Sequence, residues 1–83
     1  MNIIPLTKMQ SNQKGKIIKI NGGNKLENKL EKLGIIIGKK IKKISEQLIK
    51  GPIILQCNNT QIAIGFGMAS KILVEINKND EKE

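Results

Sequence analysis

The apolar residues of this chain fall into short runs rich in isoleucine, and glycine, asparagine or proline separates most of these runs. Such runs are typical of β-strands, because β-branched side chains pack well on a pleated surface. We predict strands over residues 16–20, 53–57, 60–64 and 72–76. A further strand, twisted or bulged, is predicted within residues 39–46, because Ile41 and Ile44 are three positions apart and fit neither strict alternation nor a long helix.

The segments between the runs carry turn residues. Asn58 and Asn59 are predicted to connect two strands as a hairpin, since asparagine tolerates the positive φ of a two-residue turn. Residues 1–13 are predicted to be a lead-in without regular structure, because Pro5 interrupts them, and residues 50–52 are predicted to be a turn. Residues 65–67 are predicted as a loop, followed by one helical turn over residues 68–71.

One segment has the period of a helix instead. Leu26, Leu30 and Leu33 recur at positions i, i+4 and i+7, which places them on one helical stripe. We predict a short amphipathic helix over residues 25–33, with Asn24 as its N-cap and Gly34 as the left-handed residue that ends it. The leucine stripe is expected to pack on the sheet. The whole pattern predicts a mainly β fold, a small closed or nearly closed barrel with one inserted helix.

The composition excludes several kinds of function. The 83 residues include no histidine, so histidine base catalysis and histidine-ligated metal sites are excluded. The one cysteine, Cys57, lies on the apolar face of a predicted strand and is expected to be a buried thiol. No apolar run approaches the roughly 20 residues that span a bilayer, and the first residues do not resemble a signal peptide. We therefore expect a cytosolic protein that binds rather than catalyses.

The formal net charge of +8 invites a nucleic-acid interpretation. However, all fifteen basic residues are lysine, so the bidentate contacts of arginine with phosphate and guanine are missing. Phe66 is the only aromatic residue on which a base could stack. A small basic nucleic-acid-binding barrel is thus the alternative rather than the preferred interpretation.

Two groups of lysines are candidate contact regions for an acidic partner. The first lies on one face of the predicted helix and comprises Lys25, Lys29 and Lys32. The second is the densest basic cluster of the chain and comprises Lys39, Lys40, Lys42 and Lys43. No cofactor is predicted, and a weak divalent-metal contact has only three candidate ligands, which are Glu27, Glu31 and Cys57.

An ordered set of motifs resembles that of a known family. Residues 15–20 are followed by Gly22-Gly23, then by Leu33-Gly34-Ile35, Gly51-Pro52-Ile53 and finally residues 68–74. In this order and at these intervals they resemble ferrous-iron transport protein A, the FeoA family, over about residues 3–76. The resemblance implies an SH3-like β-barrel with short helices, which we assign to residues 1–76, with residues 77–83 as a polar tail.

The same resemblance implies a function in ferrous-iron uptake. The expected partner is the membrane transporter FeoB, whose cytosolic part contains a GTPase domain, so the protein would reach the inner face of the membrane through its partner. Asn12 stands where the family commonly has a turn glycine, and Ile37 replaces a frequent proline. SH3 domains that bind proline-rich peptides line their groove with aromatic residues, and a chain with one phenylalanine is not expected to bind such peptides.

Overall fold

A computed structural model describes residues 2–46 and 51–76. The first residue of the turn predicted over residues 50–52, Lys50, and the predicted tail over residues 77–83 therefore lie outside the described residues. The strands are β1 (Asn2–Pro5), β2 (Lys14–Ile20), β3 (Lys40–Glu46), β4 (Ile53–Cys57), β5 (Thr60–Ile64) and β6 (Ile72–Ile76). The helices are a 3-10 turn (Leu6–Lys8), α1 (Gly23–Glu31) and α2 (Phe66–Ala69). None of the helices in the described ranges has the length and apolarity to cross a membrane.

The six strands form one antiparallel sheet in the order β1-β6-β2-β3-β4-β5. Its register shifts between Ile17 and Lys19 on β2 and between Lys43 and Ser45 on β3, and such bulges bend a strand and increase its twist. The inward side chains form a single core that is almost wholly aliphatic. The predicted mainly β, SH3-like fold with one short helix and a second helical turn is confirmed.

The strands predicted from the isoleucine runs are present, and β2 begins two residues earlier than predicted. The hairpin between β4 and β5 is also confirmed, with Asn58 at a φ of 59° in the turn. The bulged strand predicted within residues 39–46 is β3. Alternation and turn chemistry are local properties, which explains why the sequence predicts these elements well.

The prediction of an irregular lead-in over residues 1–13 is wrong. Residues 2–5 form β1, which pairs along its length with β6, and the 3-10 turn follows directly. Pro5 lies at the end of β1 opposite Leu73. β1 is an edge strand, and an edge position tolerates proline because one side of the strand needs no hydrogen bonds from its neighbour.

The helix α1 begins earlier than predicted, with Gly22 rather than Asn24 as its N-cap. At its other end, the N–H of Ile35 donates to the carbonyl of Leu30 (2.9 Å) and that of Gly34 to the carbonyl of Glu31 (2.9 Å). This is a Schellman motif, and Gly34 has the predicted left-handed conformation at a φ of 92°. It turns Ile35 under Leu30, so Ile35 is buried whereas Leu33 is 44% exposed. The prediction that Leu33 packs on the sheet is therefore wrong.

The second helical segment is displaced from its prediction. The helix α2 covers Phe66–Ala69, whereas the sequence predicted a loop over residues 65–67 and a turn over residues 68–71. Phe66 is half-buried against the core, and Ala69 is fully buried. Both residues therefore contribute to the core.

Candidate interaction surface

Four lysines lie directly opposite one another on the outer face of β2 and β3. Lys14 is in register with Lys42, and Lys16 is in register with Lys40. Their alternate neighbours Gly15, Ile17 and Ile41 are buried, so these lysines face away from the core. Lys14, Lys16 and Lys40 are exposed and Lys42 is half-buried. We call these four residues the lysine ladder.

Charges in the ladder are close together and mostly uncompensated. The Cβ atoms of residues opposite each other on antiparallel strands are about 4.5–5.5 Å apart, and like charges in this position destabilise a sheet. Among the described register partners of the ladder, Glu75 of β6, opposite Lys16, is the one carboxylate. The remaining partner is Gln56 of β4, which is opposite Lys42. The ladder therefore concentrates positive charge on one face, and an anionic partner would relieve its repulsion.

Sequence reasoning included Lys40 and Lys42 but missed Lys14 and Lys16. The missed signal is the alternation of residues 14–17, in which lysine alternates with a glycine and an isoleucine. Alternation places Lys14 and Lys16 on the outer face of their strand. The pairing of that strand with β3, which brings the four lysines together, is a long-range property of the sheet.

The three predicted helix lysines, Lys25, Lys29 and Lys32, are all exposed on α1. Lys39 is half-buried, and its carbonyl accepts the N–H of Ile17 (2.9 Å) at the start of β3. The structure thus leaves the helix face free to contact a partner. These helix lysines are not paired in the sheet with the lysines of the ladder, so the helix face and the lysine ladder are separate surfaces.

Lys43 is not part of any contact surface, and this sequence-based assignment is corrected. Its side chain is fully buried, on the same inward face of β3 as Ile41. Its Nζ donates to the carbonyl of Met9 (2.5 Å), and it reaches the carbonyls of Thr7 (3.3 Å) and Leu6 (3.5 Å) at longer range. An amino group can be buried when carbonyl oxygens replace the water that it loses. Lys43 therefore anchors the 3-10 turn to β3 from inside the fold.

The three candidate metal ligands do not form a built site. Glu27 is half-buried and Glu31 is exposed on α1. Cys57 is buried, as predicted, and its thiol donates to the carbonyl of Gly34 at 3.7 Å. Within the described ranges, no three histidine, cysteine, aspartate or glutamate side chains are grouped so that they could hold a metal ion.

A second surface feature was not predicted. Leu33, Ile36 and Ile37 follow α1 and are 44%, 43% and 51% exposed, respectively. We call these three residues the apolar turn. The sequence predicted Leu33 to be in the core and assigned no surface role to the two isoleucines.

Comparison with protein families identifies one match that covers most of the chain. The model of the FeoA domain matches residues 4–76. A curated relative described as "Putative Fe(2+) transport protein A", from Methanocaldococcus jannaschii, is 38% identical over 71 residues. The aligned region covers 86% of this chain and 84% of the relative.

Solved structures give the same result for the fold. A crystal structure of an iron uptake regulatory protein (FeoA) is 31% identical with a TM-score of 0.82, and the match covers 90% of this chain and 97% of that one. The NMR structure of a FeoA-like protein from Clostridium acetobutylicum is 26% identical with a TM-score of 0.79, covering 92% and 88% of the two chains. Family, relative and structures agree along nearly the same residues.

Proposed function

This chain belongs to the FeoA family, and we propose that it is a non-enzymatic accessory protein that regulates ferrous-iron uptake by binding the transporter FeoB in the cytosol. The family is associated with Fe(2+) transport. The observation that carries the proposal is the extent of the match, because residues 4–76 include nearly all of the described fold. A match of this extent supports the same association with Fe(2+) transport for the whole described domain.

The lysine ladder supports binding to an acidic surface of the partner. Clustered charge of one sign raises the rate of encounter with an oppositely charged surface, by about 10- to 1,000-fold at low ionic strength. Exposed lysines keep flexible side chains and act as point charges. They therefore favour fast and reversible association over a long-lived complex of fixed geometry. Such association suits a regulator that must dissociate from its partner.

The chemistry of the described residues also supports binding rather than turnover. Cys57 is the one thiol of the chain, and its Sγ is buried against a backbone carbonyl. A cysteine nucleophile needs an adjacent base, and the chain has no histidine to serve as one.

Co-purification with the transporter from the same organism tests the proposal. We expect the cytosolic part of the transporter to retain this protein at low salt and to release it as salt rises, because exposed charges are screened within about 8–10 Å at ordinary ionic strength. No retention at low salt would contradict the proposal.

Two matched variants locate the contact. The triple variant Lys14→Gln, Lys16→Gln and Lys40→Gln removes three charges from the ladder. The triple variant Lys25→Gln, Lys29→Gln and Lys32→Gln removes three charges from the helix face. Both variants have the same net charge, so any difference in retention reports position rather than total charge. We expect the ladder variant to be retained less than the helix variant.

The alternative function, a nucleic-acid-binding barrel, predicts a different experimental result, which is binding to DNA or RNA. Phosphate neutralisation by the ladder would produce a mobility shift with DNA or RNA, and the affinity would fall linearly with salt on logarithmic axes. We expect only weak, sequence-independent binding, because arginine is absent and Phe66 is half-buried against the core. Tight binding at physiological salt would favour the alternative.

A further inference from the structure

The apolar turn is held in a fixed conformation, so the exposure of its side chains is built into the fold. The Schellman motif at Gly34 buries Ile35 and leaves Leu33 outside. The N–H of Lys39 then donates to the carbonyl of Ile36 (3.1 Å), and Gly38 has a φ of 97°. These are the features of a type II turn, with Ile37 and Gly38 as its central residues. Ile36 and Ile37 therefore project from the tip of a defined turn.

Lysines flank this turn along the chain. Lys29 lies four residues before Leu33, about one helical turn away, and Lys32 is its direct neighbour. Lys39 and Lys40 follow the turn on its other side. Glu31, which is exposed at the end of α1, is the one acidic residue in the segment from residue 29 to residue 40. Lysines therefore flank the exposed aliphatic side chains on both sides along the chain.

The chemistry of this surface distinguishes between possible occupants. A second copy of the chain would bring one strongly positive protein against another, which their mutual repulsion opposes. The buried centres of protein interfaces are enriched in aromatic residues and arginine, whereas the exposed apolar residues of this surface are all aliphatic and the chain has no arginine. An anionic bilayer suits both the aliphatic side chains and the lysines. Its acyl boundary accepts aliphatic side chains, and its anionic headgroups attract lysine.

We propose that the apolar turn inserts into the interface of an anionic lipid bilayer, with the surrounding lysines contacting the lipid phosphates. Lysine suits this arrangement because its long alkyl stem lies along apolar surface while its ammonium group stays in the polar layer. The inserted residues, Leu33, Ile36 and Ile37, are not part of the lysine ladder that is proposed to bind the transporter, although Lys40 flanks the turn and also belongs to the ladder. The insertion would place the protein in the plane of the membrane where an iron transporter lies.

Vesicle sedimentation tests the insertion with lipids alone. The full chain is mixed with vesicles of phosphatidylcholine, or of equal parts phosphatidylcholine and phosphatidylglycerol, and the bound fraction is measured over a salt series. We expect binding to the anionic vesicles only, decreasing as salt rises. Absence of binding to anionic vesicles at low salt would overturn the proposal.

Variants separate insertion from simple charge attraction. The double variant Ile36→Ser and Ile37→Ser is expected to lower the partition coefficient at least about tenfold, since binding strength scales with the apolar area that is buried. The single variant Ile37→Ser has a matched control in Ile3→Ser, which removes one exposed isoleucine (56% exposed) from β1, away from the apolar turn in the chain. Circular dichroism confirms that each variant is folded. Equal binding by Ile37→Ser and Ile3→Ser, together with unchanged binding by the double variant, would refute insertion.

The same variants distinguish a protein partner from lipid. If the double variant loses retention by the transporter's cytosolic part while the original chain binds no vesicles, the turn contacts protein and the proposal is overturned. If the double variant loses vesicle binding and keeps its retention by the transporter, the turn contacts lipid as proposed. The vesicles contain no protein, so failure of this proposal leaves the proposed function unaffected, and the reverse also holds.

Discussion

Replacing the buried Lys43 with methionine tests the anchor between β3 and the 3-10 turn. Methionine keeps an unbranched apolar side chain of similar length and removes the amino group. The change takes a hydrogen-bond donor from the carbonyl of Met9, which Nζ approaches to 2.5 Å in the interior. Lys43→Met should therefore destabilise the fold although it places a more apolar residue in the core.

The magnitude follows from the fate of each carbonyl. The carbonyl of Leu6 still accepts the N–H of Met9 (3.1 Å), so it keeps a hydrogen-bond donor. The carbonyl of Thr7 is in a part-buried position, so water replaces the lost donor at little cost in free energy. A buried polar group left unsatisfied costs about 1–3 kcal/mol, and this applies to the Met9 carbonyl. We expect a loss of about 2 kcal/mol, against a total stability of about 4–12 kcal/mol for a chain of this length. The corresponding fall in Tm is about 8–16 °C.

The neighbouring residue provides a matched control. Lys42→Met makes the same chemical change one position away, on the outer face of the same strand, and leaves the same net charge. It should change the free energy of unfolding by less than about 0.5 kcal/mol, because Lys42 lies on the outer face of the strand and any change should be a small gain from relieving its repulsion with Lys14. The assay is thermal and urea unfolding followed by circular dichroism, since the chain has no tryptophan or tyrosine to report by fluorescence. Equal stability of the two variants would refute the anchor.

Three further predictions concern local geometry and are each measured by urea unfolding. Asn12→Ala should lower the free energy of unfolding by about 1 kcal/mol, because Asn12 has a φ of 70° that alanine adopts with strain. Asn12→Gly should leave it nearly unchanged, since glycine adopts this φ freely, and equal effects of the two variants would contradict this reason. Ile37→Pro should stabilise the fold by about 0.4–1 kcal/mol, since proline is favoured at this position of a type II turn, and a loss of stability would show that the turn is assigned wrongly. Gly22→Ala should cost about 1–3 kcal/mol, because its Cβ would lie 2.4 Å from Cδ2 and 3.0 Å from Cβ of Leu26, and an unchanged midpoint would contradict the clash.

Local patterns predicted most of the strands and the resemblance to the FeoA family, which is confirmed. The hairpin at Asn58 and the left-handed Gly34 follow from turn chemistry, which a few adjacent residues determine. The family pattern likewise placed Asn12 in a turn that needs positive φ, and its φ of 70° agrees. These features require no knowledge of distant contacts.

The errors occurred where distant residues decide the structure. The strand β1 exists because β6 pairs with it, and nothing within residues 2–5 signals that partner. Lys43 was assigned to the surface as a member of the densest basic cluster, and the carbonyls that hold it belong to a turn more than thirty residues away. Leu33 continued the leucine stripe in the sequence and was predicted to be buried. The Schellman motif instead buries Ile35 and leaves Leu33 exposed.

The candidate surface was only half predictable for the same reason. Alternation along a strand shows which lysines face outward, but only the register shows that Lys14 and Lys16 lie opposite Lys42 and Lys40. The helix lysines were correctly predicted to be exposed, and their contact with a partner stays a prediction.

The association rate constant with the cytosolic part of the transporter tests the central claim most directly. We predict that the rate constant falls at least about tenfold between low and physiological salt, and that the ladder triple variant at low salt reproduces most of this fall while the helix triple variant does not. The dissociation rate constant should change little. An association rate constant that is independent of salt and equal in all three proteins would contradict the claim that the lysine ladder guides this protein to its partner.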